Sequence, residues 1–553
     1  MKVSRRDLLA SSAGAAAALV ATPVPWKLLD DTSIWSQNWK WIPQPSRGPM
    51  EVKHSACTLC PSGCGLRVRT AGGYLVGVAG LASHPVTGGA LCPLAFAAHQ
   101  LNWHPERLRT VRHRGVESSW DDARAAFVKA CGEGPVIVID GYPGRAASVV
   151  MEAFGNKRGE YRAFQGTEWK VLAPYTRWSG VPASDLGYDL ENARTIVSFG
   201  APLLDGWGIP GRFTRLWAKR SAGQNEPELR LIQIEDSLSR TATRAWRWIA
   251  VRPGTESALA SGIARVLLEE KLVSTQAPLP DATVSEVALR TGLDISTIRE
   301  LARMIVAQQP AMAISNNNAP SIAALNVVLG AVGERGGIVR RSRAAKSYQD
   351  AEAPISSARA VVLDASVPWS FIPKTDAEVF RFAAWNGGPT KADWLLPAPG
   401  FLEELSDVPT APTASVETYA VAPAITQAPH TTRSCAAFLA SADPSLTSAE
   451  KVIHKRCADL YRARVGALHS HQQVPVARLE TDSQLEEQLW NGSVWVGEPA
   501  SGESILCALK KWPADDADSP VDSHQSWSVP VMPALATKLY QESGLRESQG
   551  RIA

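Results

Sequence analysis

The stretch "HSACTLCPSGCGLRVR" places three cysteines within eight residues of a chain that has 553 residues and eight cysteines in all. Cys57, Cys60 and Cys64 are spaced C-x2-C-x3-C, and Cys92, in "GGALCPLAF", follows well downstream. Thiolates are soft anionic ligands, so a tight turn carrying three of them and one remote segment carrying a fourth can surround a zinc ion or a four-iron cube. Structural zinc usually takes two facing C-x2-C pairs, whereas three bunched cysteines and one distant one favour a [4Fe–4S] cluster. Gly63 and Gly65 flank Cys64 and leave the backbone free to turn its N–H groups toward cluster sulfides. Cys131, Cys435, Cys457 and Cys507 are scattered singly and read as buried, inert thiols.

Such a site needs a scaffold, and the chain is long enough for two to four domains. Residues 50–107 read as a small cluster domain in which "GYLVGVAG" is a hairpin strand. Beyond it the text alternates between strands and helices. "GPVIVIDG" (134–141), "ARTIVSFG" (193–200), "LRLIQIED" (229–236), "PAMAISNN" (310–317) and "ARAVVLDA" (358–365) are β-branched runs ending in glycine, acid or amide. Runs of this kind suit buried parallel strands whose C-terminal ends face a ligand crevice. The expected fold class is therefore α/β, with a small N-terminal [4Fe–4S] domain followed by two doubly wound, Rossmann-like lobes. Residues 108–190 form the first part of lobe A, 191–345 form lobe B, and 346–430 return to lobe A. From 431 to 553 the text, rich in Pro, Ser, Thr and Ala, reads as loop-rich surface.

Composition excludes some classes. Apolar residues make up 45% and charged residues 20%, with a net charge of +3, which fits neither a disordered chain nor a nucleic-acid binder with a basic surface. Residues 1–29 carry Arg5 and Arg6 ahead of a small-residue apolar run, the pattern of a twin-arginine export signal. That run is shorter than the ~20 residues of a membrane span, so cleavage after Ala21 and retention as a weak anchor both stay open. The expected location is the periplasmic side of the cytoplasmic membrane. An oxidising compartment keeps two disulfides among the four clustered cysteines open as an alternative.

The cysteine pattern, with "WDDARAAFVKA" after it, resembles the molybdopterin oxidoreductases of the dimethyl-sulfoxide-reductase type. The resemblance implies a bis-pterin fold and gives roles to further residues. "SFGAPLLDGW" is similar to a strand-end loop approaching a pterin or its guanosine phosphate, with Gly200 allowing close approach. "QIEDSLSRTATRAWRWIAVRPGTESALA" is similar to the family's acid-bearing strand end, in which Glu235 or Asp236 binds a ribose or guanine with Glu256 nearby. "LGAVGERGGIVRR" and "ADWLLPAPGFLEEL" match further landmarks in order along the chain.

Three departures from the family bear on function. Leu94 stands where catalytic members keep a lysine beside the cluster. No cysteine occupies the position of the molybdenum ligand, and Ser179 in "YTRWSG" is the weak candidate there. The C-terminal β-barrel that closes over both pterins in the family is not evident. These features, with "YDLENARTIVSFGAPLLDGWG", "DWLLPAPGFLEELSDV" and "MPALATKLYQESGLR", resemble one branch, the molybdopterin-like iron–sulfur subunits of the menaquinone reductase complex and alternative complex III. That branch implies partners: a ferredoxin-like iron–sulfur subunit, a multihaem cytochrome c and a quinone-binding integral membrane subunit. The leading expectation is an electron-transfer subunit with a [4Fe–4S] cluster and no molybdenum. The alternatives are a catalytic molybdenum enzyme with two molybdopterin guanine dinucleotides, acting on an oxo-anion or sulfur compound, and a zinc-stapled interaction protein without redox chemistry.

Overall fold

A computed structural model describes residues 4–21, 27–28 and 48–514, apart from 165–170, 205, 224–225, 317–318, 342–347, 389–391, 412, 430 and 499–504. The match "MPALATKLYQESGLR" and the rest of the loop-rich segment from 515 onward lie outside the described residues.

The cluster domain is built on a three-stranded antiparallel sheet of Met50–Ala56, Gly65–Ala71 and Tyr74–Gly80. The cysteine knuckle is the loop joining the first two strands, and it is closed by a hydrogen bond from Cys57 N–H to the Cys64 carbonyl, 2.8 Å. Cys92 sits immediately before the short helix Pro93–Ala97.

Lobe A carries an eight-stranded sheet in the spatial order Gln349–Asp350, Gly159–Ala163, Val136–Asp140, Ala360–Leu363, Glu378–Ala383, Trp394–Pro397, Val111–His113, Val116–Ser118. The first six strands are parallel and the last two antiparallel. Alternation along "VIVID" explains why every residue of that strand is buried. Val136 and Val138 face a core of Phe127, Phe154, Phe380, Phe382 and Phe438, while Ile137 and Ile139 face Val361, Leu363 and Val379 on the other side. The helix Trp120–Glu133 starts at a capping box in which Ser119 and Asp122 satisfy each other's backbone N–H groups.

Lobe B carries four parallel strands in the order Arg247–Ala250, Arg230–Glu235, Thr195–Phe199, Ala311–Ser315. In each lobe the chain leaves one strand in both directions across the sheet, Val136–Asp140 in lobe A and Thr195–Phe199 in lobe B. Crevices open where the strand order reverses in this way, which places Asp140 and Tyr142 at one crevice and Gly200 at the other.

The loop-rich reading of 431–553 needs correction over 431–496. Helices Cys435–Ala442, Ala449–Ala463 and Asp482–Trp490 form there, and Ala467–His469, Gln473–Pro475 and Val494–Val496 join Ser406–Val408 and Thr418–Ala422 in a five-stranded sheet. Three of the serines and threonines that lend the segment its loop-like text are helix starts. Ser434, Ser448 and Thr481 each accept a backbone N–H at a helix N-terminus. Val452, Ile453, Leu460, Leu468, Leu485 and Leu489 then close a core of their own. The helix Cys435–Ala442 instead packs Cys435, Phe438 and Leu439 into lobe A.

Candidate iron–sulfur site

Four elements converge on the cysteine knuckle. Ser62 donates its hydroxyl to the Gly208 carbonyl of lobe B at 3.1 Å. The backbone N–H of Gly211, in the first turn of the helix Pro210–Arg220, donates to the Cys64 sulfur. Gly63 has φ +59°, and a Cβ placed on it would stand 2.1 Å from Cγ1 of Val408, so the strand Ser406–Val408 lies directly on the knuckle. On the lobe A side, Ala146 N–H donates to Asp407 Oδ1 at 2.6 Å, which fixes the loop 141–145 against that same strand.

Cys57, Cys60, Cys64 and Cys92 gather here. Burial pushes the Cys57 thiol well above its ordinary value, and the neighbouring sulfurs of Cys60, Cys64 and Cys92 push it further. Burial does the same to Cys64, followed by Cys60 and Cys92. Cys92 is raised by burial, while the N–H groups of Ala95 and Leu94 pull it down. A cationic group held among the four sulfurs would offset their mutual repulsion on ionisation, and iron carries such a charge. None of the eight cysteines is joined in a disulfide. Among the described residues no group of three or more His, Cys, Asp or Glu side chains is already arranged around a metal ion. The four thiols and the N–H groups directed at Cys64 and Cys92 fit a [4Fe–4S] cluster.

Beside the basket lies a polar nest that sequence reasoning missed. Arg145 donates to Asp140 Oδ1 at 2.9 Å, to Asp364 Oδ2 at 3.0 Å and, through Nε, to the Tyr142 carbonyl at 2.8 Å. Burial disfavours its charge, but the two carboxylates outweigh burial and hold it above its ordinary value. Its guanidinium also lies 5.1 Å from the centre of the Tyr142 ring. Burial pushes the Tyr142 phenol well above its ordinary value, with Arg145 opposing and Cys60, Asp407 and Cys57 adding to the rise. Glu404 keeps solvent access, yet protein crowds it closely enough that burial brings its carboxyl up to about 7. The available signals were the acids ending "VIVID" and "AVVLD"; Tyr142 and Arg145 sit in a loop with no periodicity to mark them.

The other candidates divide into two places. Gly200, at φ +66°, ends its strand with its N–H donated to the Ile234 carbonyl, beside Glu235. Glu235, Asp236 and Glu256 meet at the C-terminal end of that sheet, where burial and then Asp236 and Glu235 raise Glu256. Glu235 accepts from Gln233 Nε2 at 2.9 Å and from Ser239 N–H at 3.2 Å, while Asp236 is exposed. Ser179 ends the helix Ala173–Ser179, where its hydroxyl donates to the Tyr175 carbonyl at 2.7 Å and accepts from Val181 N–H at 3.2 Å. Leu94 is half-buried in the short helix following Cys92.

A parallel two-lobed α/β fold headed by a four-cysteine domain matches the molybdopterin oxidoreductase fold, and the chain is similar to proteins of that family. Residues 50–101 match the molybdopterin oxidoreductase Fe4S4 domain. The chain is 33% identical over 366 residues to the menaquinone reductase, molybdopterin-binding-like subunit of Nitratidesulfovibrio vulgaris, covering 61% of this chain and 52% of that one. It is 24% identical to the arsenate respiratory reductase molybdopterin-containing subunit of Shewanella sp., covering 64% and 49%. The chain thus spans about half the length of the curated relatives it matches. Among solved structures it is similar to acetylene hydratase from Pelobacter acetylenicus, with TM-score 0.58 and 13% identity over 83% of this chain and 76% of that one, a likeness of fold.

Proposed function

We propose that the protein is an exported electron-transfer subunit of a quinone-linked membrane oxidoreductase complex. In this reading Cys57, Cys60, Cys64 and Cys92 hold one [4Fe–4S] cluster, and the pterin-type lobes serve as its scaffold without molybdenum. The observation that carries the reading is the contrast between the two candidate centres. The four cysteines lie close together with no disulfide between them, whereas the Ser179 hydroxyl donates to the Tyr175 carbonyl, accepts from Val181 N–H and meets Cys507. A [4Fe–4S] cluster supplies one-electron transfer. The chain's residues bury it, direct N–H groups at its ligands and enclose it between lobes. Similarity to a menaquinone reductase subunit supports the quinone-linked setting, and no described helix is long and apolar enough to cross a membrane.

The ferredoxin-like subunit, multihaem cytochrome c and quinone-binding membrane subunit belong to this proposal, as does twin-arginine export to the periplasmic side. Purifying the tagged chain from solubilised membranes of its native host tests it. Recovery with a polytopic quinone-binding subunit supports the reading. A chain that purifies alone and reduces an oxo-anion contradicts it and favours the catalytic alternative, for which the crevice holding Gly200, Glu235, Asp236 and Glu256 would bind the guanosine end of a pterin.

A further inference from the structure

Tyr142 is enclosed by protein, and its hydroxyl makes no hydrogen bond among the described residues. A buried hydroxyl without a partner is costly, so the site as built lacks an acceptor. Three restraints show that the ring is held in place. Tyr142 N–H donates to Asp140 Oδ1 at 2.9 Å, its carbonyl accepts from Arg145 Nε at 2.8 Å, and the Arg145 guanidinium lies over the ring. The loop that carries it is pinned through Ala146 to Asp407, whose neighbour Val408 packs against Gly63 of the cysteine knuckle. The ring is thereby held on the lobe A side of the knuckle, within electrostatic reach of Cys60 and Cys57.

We propose that Tyr142 is a tuning residue of the cluster: its hydroxyl donates a hydrogen bond to a sulfur of the cube on the Cys57–Cys60 side and raises the reduction potential. Hydrogen bonds to cluster sulfurs stabilise the more negative, reduced state. Arg145 acts as the positioning residue that holds the ring. This inference rests on the [4Fe–4S] reading above, and it gives lobe A a direct function in electron transfer beyond that of a scaffold.

The test is a redox titration of full-length Tyr142→Phe followed by EPR, beside iron analysis. The expected result is unchanged iron, a spectrum of the same type and a potential shifted downward. Iron retained with the potential unmoved overturns the inference and leaves the cluster reading standing; absence of iron from the unaltered protein overturns the cluster reading itself. Where the Phe variant does not load, replacing tyrosine throughout by 3,5-difluorotyrosine supplies a stronger donor of nearly the same shape. The expected shift is then upward, and no shift overturns the inference.

Discussion

A Cβ on Gly63 would stand 2.1 Å from Cγ1 of Val408, so a strand more than 340 positions later along the sequence sets the roof of the cysteine knuckle. The contact explains why the knuckle needs glycine twice over. Its φ of +59° strains other residues, and there is no room for a side chain. Gly63→Ala is expected to lose most of its iron relative to the parent, measured by iron content and visible absorbance of protein purified without oxygen.

Cys64 receives the Gly211 N–H from lobe B as well as facing its sister thiols. Cys64→Ala is expected to abolish the cluster's absorbance and to loosen residues 50–107, seen as faster amide exchange in the strands Met50–Ala56 and Gly65–Ala71. Full iron retention in this variant would refute its assignment as a ligand.

Leu94 lies two residues beyond Cys92 at the start of a helix whose N–H groups address that cysteine. Leu94→Lys brings a positive charge close to the cluster, which favours the reduced state. The expected outcome is an upward shift in potential with no gain of substrate turnover. Turnover with an oxo-anion would contradict the scaffold reading.

The buried pair Arg107 and Glu403 ties the end of the cluster domain to lobe A, with Nη1 2.7 Å from Oε1 and a second contact between Nη2 and Oε2; both side chains are almost fully covered. Removing one partner strands the other charge, at a cost of about 3–5 kcal/mol. Arg107→Met is expected to lower the melting temperature by several degrees, and an unchanged temperature would show that the pair contributes nothing net.

Much of the scaffold was legible because its strands are mainly apolar runs. "VIVID" and "TIVSF" are buried on both faces, and such runs have one stable place, inside a parallel sheet. The cysteines were legible because their spacing is itself the chemistry. Residues 431–496 were misread since capping serines and threonines imitate a loop composition. Tyr142, Arg145 and Gly211 were invisible for a different reason: their roles exist only where separate lobes meet the knuckle, and no local pattern encodes that meeting.

Glu404 is expected to contribute one part of the pH dependence of stability. Its folded-state value of about 7 lies above the ordinary carboxylate value of about 4.3, so the folded protein holds a proton that the unfolded chain has released. Its contribution is most favourable below the ordinary value, declines as pH rises toward 7 and levels off above it. Glu404→Gln is expected to flatten that part of a melting-temperature profile between about pH 4.5 and 8; an unchanged slope would remove Glu404 as its source.

Metal and cofactor content of the protein exported by its native host tests the central claim most directly. The account predicts about four irons per chain, acid-labile sulfide and no molybdenum. Molybdenum accompanied by two guanine-dinucleotide pterins, or zinc in place of iron, would contradict it.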